Sequence, residues 1–251
     1  MSAFVLKFIA LAAMLIDHIA YVFWLPDGSL MFMRLIGRLA FPIFAFQLAE
    51  GYAHTKNLYK YGFRLGVLAM VSQVPFFLMR NGLLSVRLGI TAIYSSPYNI
   101  VFTLFLSLAA IYAFDKLRAF PRYETKTKIG AVLNTVFGQA VRLIPVLCIA
   151  YVGQSLGVEY GFLGVLLAVG FYAVRKERIS SVIVLAVYVI LYVLKSMPES
   201  LDRFAFYTCA IFAAVPIWFY KKELRGFKCK WLTYAFYPAH LLLLAIIKYL
   251  A

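Results

Sequence analysis

Long apolar runs, broken by short basic or turn-forming stretches, dominate the chain. A helix needs about 20 apolar residues to cross a hydrocarbon core of about 30 Å. The runs predict nine membrane-spanning helices, over residues 3–24, 31–53, 61–79, 98–114, 132–153, 160–174, 179–194, 204–220 and 231–250. Several are short for that core, so tilting, partial re-entry or local thinning is expected. The loop over residues 83–96 is longer than its neighbours and reads as a lid or re-entrant segment. No linker, low-complexity run or internal repeat divides the chain. The expectation is an all-α polytopic transmembrane bundle, with residues 1–251 as one domain.

Charge supports that count. The loops after the second, fourth, sixth and eighth runs hold 16 of the lysines and arginines; the alternate loops and the C-terminal end hold 5. The positive-inside rule then puts the N-terminus in the cytoplasm and the C-terminus outside. Composition agrees: 64% of residues are hydrophobic and 14% charged, with a mean hydropathy of +0.86. Soluble domains are only about 45–50% apolar. A net charge of +15 raises nucleic acid as a partner. The basic residues sit between apolar runs rather than on a separate stripe with interleaved aromatics, which argues against it. Cys148, Cys209 and Cys229 have no metal-type spacing and read as core or loop thiols. The first run lacks a small-residue cleavage pattern and carries Asp17-His18, so it is expected to stay in the protein.

A charged side chain inside lipid costs about 2.5–3.5 kcal/mol on insertion scales, so it marks a functional site by default. His18 lies roughly 9 Å in from the outer end of the first run. Arg38 reaches a similar depth in the second run, with Arg34 one turn away on the same face. Gln73, Asn99 and Thr103 fall in the outer halves of the third and fourth runs. These residues are expected to converge on one level around a wet cavity. A simpler reading is a packing knot, with Asp17 neutralised by Arg38 or Arg34. His18 needs no counter-charge when neutral and is a natural general base near pH 7. Lys7 precedes it by eleven residues, which places both on one helix face about 16 Å apart.

Gln47, Glu50 and His54 lie toward the inner end of the second run, where Glu50 and His54 are helical neighbours. They read as a support pair or a cytoplasmic entrance, and Pro42 can kink the helix above them. Glu159 starts the sixth run, where a carboxylate favours a helix N-terminus. Tyr237-Pro238 precedes His240, which is either a pocket residue or a packed core histidine. Arg142 requires a partner that local spacing does not identify. No phosphate-binding loop, serine-hydrolase elbow or metal-type cluster is present in the sequence, so no metal is expected.

Five stretches carry a resemblance. They are Lys7…Leu15-Ile16-Asp17-His18-Ile19; Gly37-Arg38-Leu39-Ala40-Phe41-Pro42-Ile43-Phe44-Ala45; Asn99-Ile100-Val101-Phe102; Glu159-Tyr160-Gly161-Phe162-Leu163-Gly164; and Phe236-Tyr237-Pro238-Ala239-His240-Leu241. In this order they resemble the TraX family, associated in conjugative plasmids with N-terminal acetylation of pilin. That family looks related to the transmembrane acyltransferases, which include the acyltransferase-3 proteins and lysosomal heparan-glucosaminide acetyltransferase. Acyltransferase-3 members carry an arginine eleven residues before a first-span histidine, and Lys7 and His18 are similar. Lysine keeps the charge but loses the bidentate fork.

The resemblance implies acetyl-CoA, or another acyl-CoA, as a cytoplasmic donor and His18 as base. The acceptor would be a hydroxyl or amine on an extracytoplasmic or membrane glycan, lipid or protein. Asp17 would orient His18; Arg38 would hold Asp17 or stabilise the oxyanion. Lys7, Arg34, Glu50, His54, Gln73, Asn99, Thr103, Tyr237 and His240 would line the acyl-CoA path or pocket. The expected setting is the cytoplasmic membrane, among its lipids, as a single chain or a homodimer. A proton-coupled transporter and a non-catalytic membrane assembly protein are the alternatives.

Overall fold

The chain is described by a computed structural model covering residues 1–23, 28–95, 97–119, 127–196, 201–224 and 230–250. The described residues form helices, with no named strand among them. In chain order these are α1 (Ala3–Val22), α2 (Met31–Gly37), α3 (Ala40–His54), α4 (Leu58–Asn81), α5 (Gly89–Ser95) and α6 (Ile100–Lys116). There follow α7 (Lys128–Ser155), α8 (Gly161–Val174), α9 (Arg178–Ser196), α10 (Leu201–Thr208), α11 (Ala214–Trp218) and α12 (Lys230–Leu250). Polar side chains cap several of the starts. Ser2 accepts from the Val5 amide, Asn57 from Lys60 and Asn99 from Val101.

Among the described residues, six stretches are long and apolar enough to cross a membrane: Ala3–Val22, Met31–His54, Leu58–Asn81, Asn134–Ser155, Arg178–Lys195 and Thr233–Leu250. This is a multi-pass membrane protein. The remaining predicted spans are helical but short. The fourth is α6, of 17 residues, and the sixth is α8, of 14. The eighth is split into α10, a 3-10 turn over Cys209–Ala213, and α11.

The shortness of α8 matches its position. It packs against α3, α6, α7 and α9. Val165, Ala168 and Phe171 are fully buried on it. Any Cβ on Gly164 would press on Tyr160, Phe41 and Thr103, so glycine there lets three helices meet closely. By contrast α7, α9 and α12 turn apolar residues outward, such as Val136, Ile183 and Leu243. Such a face is stable only against lipid or protein.

The second predicted span keeps helical backbone angles throughout, but its hydrogen-bond ladder is broken at Arg38 and Leu39. Between α2 and α3 the amides of Arg38 and Leu39 bond only three residues back, to Leu35 and Ile36. Pro42 accounts for the place of the break. A proline ring clashes with the carbonyl four residues earlier and offers no N–H to it, and four residues earlier is Arg38. The break therefore falls on a residue of the candidate site.

The long loop does not form a lid over that site. Leu83–Leu88 make a 3-10 turn, and α5 folds back on α4. The Gln73 amide donates to the Ile93 carbonyl, and the Tyr94 hydroxyl donates to Met70. At the same end, Tyr98 bridges to the turn after α7. Its amide bonds the Gly157 carbonyl, and its own carbonyl accepts from Glu159. This bridge sets the position of Glu159.

Candidate functional site

The site begins with the exposure of one face of α1. Asp17 and His18 follow the buried Ala10, Ala13 and Met14, where small residues let α2, α3 and α12 approach. Gly37 on α2 sits directly against the Asp17 side chain, and a Cβ there would overlap it. Both arginines of α2 and its break reach the same carboxylate. Arg34 Nη1 lies 2.8 Å from Asp17 Oδ1. Arg38 Nη2 donates to both carboxylate oxygens at 2.9 Å. Arg34 also donates to the Asp17 carbonyl at 3.3 Å. The Arg38 guanidinium stacks on Phe206 of α10, 4.2 Å from the ring centre.

Asp17 takes the packing-knot arrangement. Its carboxylate is held by two guanidiniums, and no hydrogen bond joins it to His18 among the described residues. Adjacent helical residues diverge by about 100°, so the two side chains face different neighbours. The partner of His18 is His240 of α12: His18 Nδ1 and His240 Nε2 are 2.8 Å apart, with the rings stacked. The hydrogen-bond chain assigns the tautomers of the neutral pair. His240 Nδ1 is 2.8 Å from the Phe236 carbonyl, which can only accept. His240 Nδ1 therefore carries the proton, and its Nε2 is an acceptor. His18 then donates through Nδ1, leaving Nε2 unprotonated with a lone pair.

His18 lines a polar cavity of about 190 Å³. Asp17, Arg34, Arg38, Arg80, Glu159 and Tyr160 contribute to its wall, with Tyr21, Tyr192 and Tyr207 around them. Three guanidiniums thus face two carboxylates. Arg80 stacks near Tyr21 and Phe76 and makes no ion pair among the described residues. Tyr160 stacks on Phe41 at 3.9 Å and has a left-handed backbone, with φ of 63°.

A second cavity of about 160 Å³ adjoins the first. Met14 and Ile100 belong to both walls. The second is mainly apolar and extends along α1 to Lys7 and along α3 to Gln47. The Tyr237 hydroxyl, in a residue of this wall, is buried, and its proton has no acceptor among the described residues. Lys7 and His18 therefore sit in two adjoining cavities, a helix length of about 16 Å apart.

Other expected members lie elsewhere. Gln73 and Asn99 form a buried network behind the wall: Asn99 Nδ2 donates to Gln73 Oε1 at 3.0 Å and to the Ala69 carbonyl at 2.9 Å. Thr103 donates to the Glu159 carbonyl. All three line neither cavity. Glu50 and His54 are also outside both. His54 Nδ1 donates to the Glu50 main-chain carbonyl at 2.8 Å, while the Glu50 carboxylate faces Lys222 Nζ at 3.2 Å. Arg142 donates to the Phe114 carbonyl and to Gln139, and stacks on Phe114.

Glu159, Arg80 and the tyrosines are the cavity residues that sequence reading left out. Glu159-Tyr160 did carry a signal, since it opened one of the five resembling stretches.

The family model described as TraX protein matches residues 2–248. Over 112 residues the chain is 38% identical to a probable fimbrial assembly protein FimC, serogroup H1, from Dichelobacter nodosus. That stretch covers 44% of this chain and 45% of the relative, so less than half of the relative's length is spanned. No solved structure matches the chain. With the family match extending across almost all of its length, the chain belongs to the TraX family.

Proposed function

We propose that this protein is a membrane-embedded acyltransferase that moves an acyl group, most simply acetyl, from acyl-CoA to an amine or hydroxyl. The single observation that carries this reading is the His18–His240 pair, which leaves an unprotonated nitrogen on a residue lining a cavity. His18 Nε2 takes the acceptor's proton. The nucleophile attacks the thioester carbonyl, the C–S bond breaks, and the leaving thiolate takes the proton back from His18. The buried Tyr237 hydroxyl and Arg38 Nε, which donate to no acceptor among the described residues, would serve as donors to the oxyanion. Lys7 sits in the wall of the apolar cavity, where an acyl-CoA arm would enter. On this proposal its chemistry resembles that of the acyltransferase-3 proteins.

The proposed setting is the cytoplasmic membrane, with nine spans, a cytoplasmic N-terminus and an outer C-terminus. The donor enters from the side of Lys7, and the acceptor from the side of Arg34 and Arg80. The description of the Dichelobacter relative as a probable fimbrial assembly protein supports a fimbrial subunit as acceptor.

The test uses full-length protein in liposomes with acetyl-CoA and an acceptor peptide bearing a free N-terminal amine. Release of free thiol, matched by acetylated peptide, is expected from the wild type and is lost in His18→Ala. Equal turnover by folded His18→Ala would sink the assignment of the base. The same description favours one further reading, a non-catalytic role in fimbrial assembly. In that case His18→Ala supports assembly normally, and no thiol is released by either protein.

A further inference from the structure

A third cavity, of about 420 Å³, lies at the end of the bundle away from His18. It sits where α6 and α8 finish and α9 begins, roughly 24 Å along α6 from Ile100. Arg118, Arg142, Arg175 and Lys176 contribute four positive charges to its wall, against Asp115 and Glu177.

The two carboxylates are already engaged by hydroxyls. Asp115 accepts from Tyr52 at 3.1 Å and from Tyr172 at 2.5 Å. Glu177 accepts from Ser180 at 3.0 Å. Among the described residues, Arg118, Arg175 and Lys176 make no ion pair. Arg175 is held in place by its own surroundings: it donates to the Tyr172 carbonyl at 2.9 Å and stacks on the Tyr172 ring at 4.2 Å. Four cations against two carboxylates leave two positive charges in excess, and a fixed guanidinium among them fits a phosphate.

What lies beyond the cavity limits the kind of phosphate. Ser180 begins a helical stripe on α9 that continues through Ile183, Val187 and Leu191, exposed by 56%, 49% and 43%. On α7, Gln139 begins a similar stripe through Leu143, Leu147 and Tyr151, also outward-facing. Spacings of three and four residues keep each stripe on one helix face. Each extends about 17 Å from the cavity. Cations at the head of two long apolar tracks match an amphiphile rather than a soluble phosphate.

We propose that this cavity binds the phosphate headgroup of an anionic membrane phospholipid, with its acyl chains laid along α7 and α9. Basic pockets between transmembrane helices take such headgroups through charge and hydrogen bonding. The site is separate from both cavities near His18 and does not depend on acyl transfer.

Native mass spectrometry of the full-length protein in neutral detergent tests it. The probes are dioleoyl-phosphatidylglycerol, dioleoyl-phosphatidylcholine, inorganic phosphate and coenzyme A. Retention of phosphatidylglycerol over phosphatidylcholine is expected. Arg118→Gln combined with Lys176→Gln should weaken it by roughly tenfold or more. Val187→Asn leaves every charge in place and should weaken it less. Equal retention of the two lipids by the wild type overturns the proposal. Displacement of phosphatidylglycerol by coenzyme A or inorganic phosphate overturns the lipid assignment in favour of a soluble phosphate.

Discussion

Two clusters in this bundle contain the same ingredients, a histidine, a carboxylate and a cation. One joins His18, Asp17, Arg34 and Arg38; the other joins His54, Glu50 and Lys222. They differ in what the histidine does with its nitrogens. His18 donates across to another helix, keeps one nitrogen unprotonated and belongs to a cavity wall. His54 donates to the main chain of its own helix, one turn back, and lines neither adjoining cavity. The first is arranged to meet a ligand. The second finishes a helix, satisfying a carbonyl near its C-terminal end. Identical residue types therefore do not define a site; a histidine held from another helix and lining a cavity does.

Substituting the two histidines exposes this contrast most strongly. His18→Ala removes the proposed base, and on the proposed mechanism acyl transfer falls about 10²–10⁴-fold. His54→Ala should leave turnover nearly unchanged and lower thermal stability slightly. Parallel thiol-release assays on the two folded variants measure the difference. A similar loss in both would erase the distinction between the clusters.

The carboxylates give the next largest effect. Asp17→Ala leaves two buried guanidiniums without their counter-charge and should cost about 3–5 kcal/mol. Lys222→Met breaks the other pair, but Lys222 is 42% exposed, so water reaches that end of the bridge. Its loss should cost less than half as much. Thermal unfolding in detergent ranks the two. A weaker effect at Asp17 would mean that Arg34 and Arg38 find other partners.

A backbone change sharpens the same point. Gly37→Ala alters no charge, yet its Cβ would overlap the Asp17 side chain. Overpacking of this kind costs about 1–3 kcal/mol. It should shift the Arg34–Asp17–Arg38 knot and lower turnover together with stability. Gly51→Ala is the matched control near the second cluster, where the nearest atom is the flexible end of Tyr61 at 3.2 Å. Unfolding midpoints for the pair should separate clearly, with Gly37→Ala the lower.

These contrasts also mark what was legible in the sequence. Depth was readable, because hydropathy and loop charge give the start of each run and helical rise gives the rest. It brought Asp17, Arg34 and Arg38 to one level, where they do meet. Rotation about the helix axis was not readable. Gln73 and Asn99 turn toward each other and line neither cavity. The pairing of His18 with His240 joins residues 222 apart, and no local period encodes how α12 is rotated against α1. Glu159 enters the cavity wall because the Tyr98 bridge pins the turn before α8, a long-range contact that its helix-start pattern did not announce. The broken second span was partly announced by Pro42, but its effect falls at the carbonyl four residues upstream, on Arg38.

The smallest expected effect is also the most specific. His240 lines neither adjoining cavity, so it acts on the reaction only through His18. His240→Ala removes the acceptor that holds the His18 Nδ1 proton. The ring of His18 can then rotate, and its tautomers can exchange, so the lone pair at Nε2 is present for only part of the time. Losing one hydrogen bond worth about 0.5–1.5 kcal/mol corresponds to a fall of roughly threefold to tenfold in kcat. KM for acetyl-CoA should stay constant, since no wall of the apolar cavity is altered. His240→Gln offers an amide oxygen as acceptor and should recover part of the loss. Steady-state kinetics on the three proteins checks each step. Should His240→Ala raise KM while leaving kcat unchanged, His240 would belong with the binding surface, and the orientation of His18 would have to come from the packing of α1 alone.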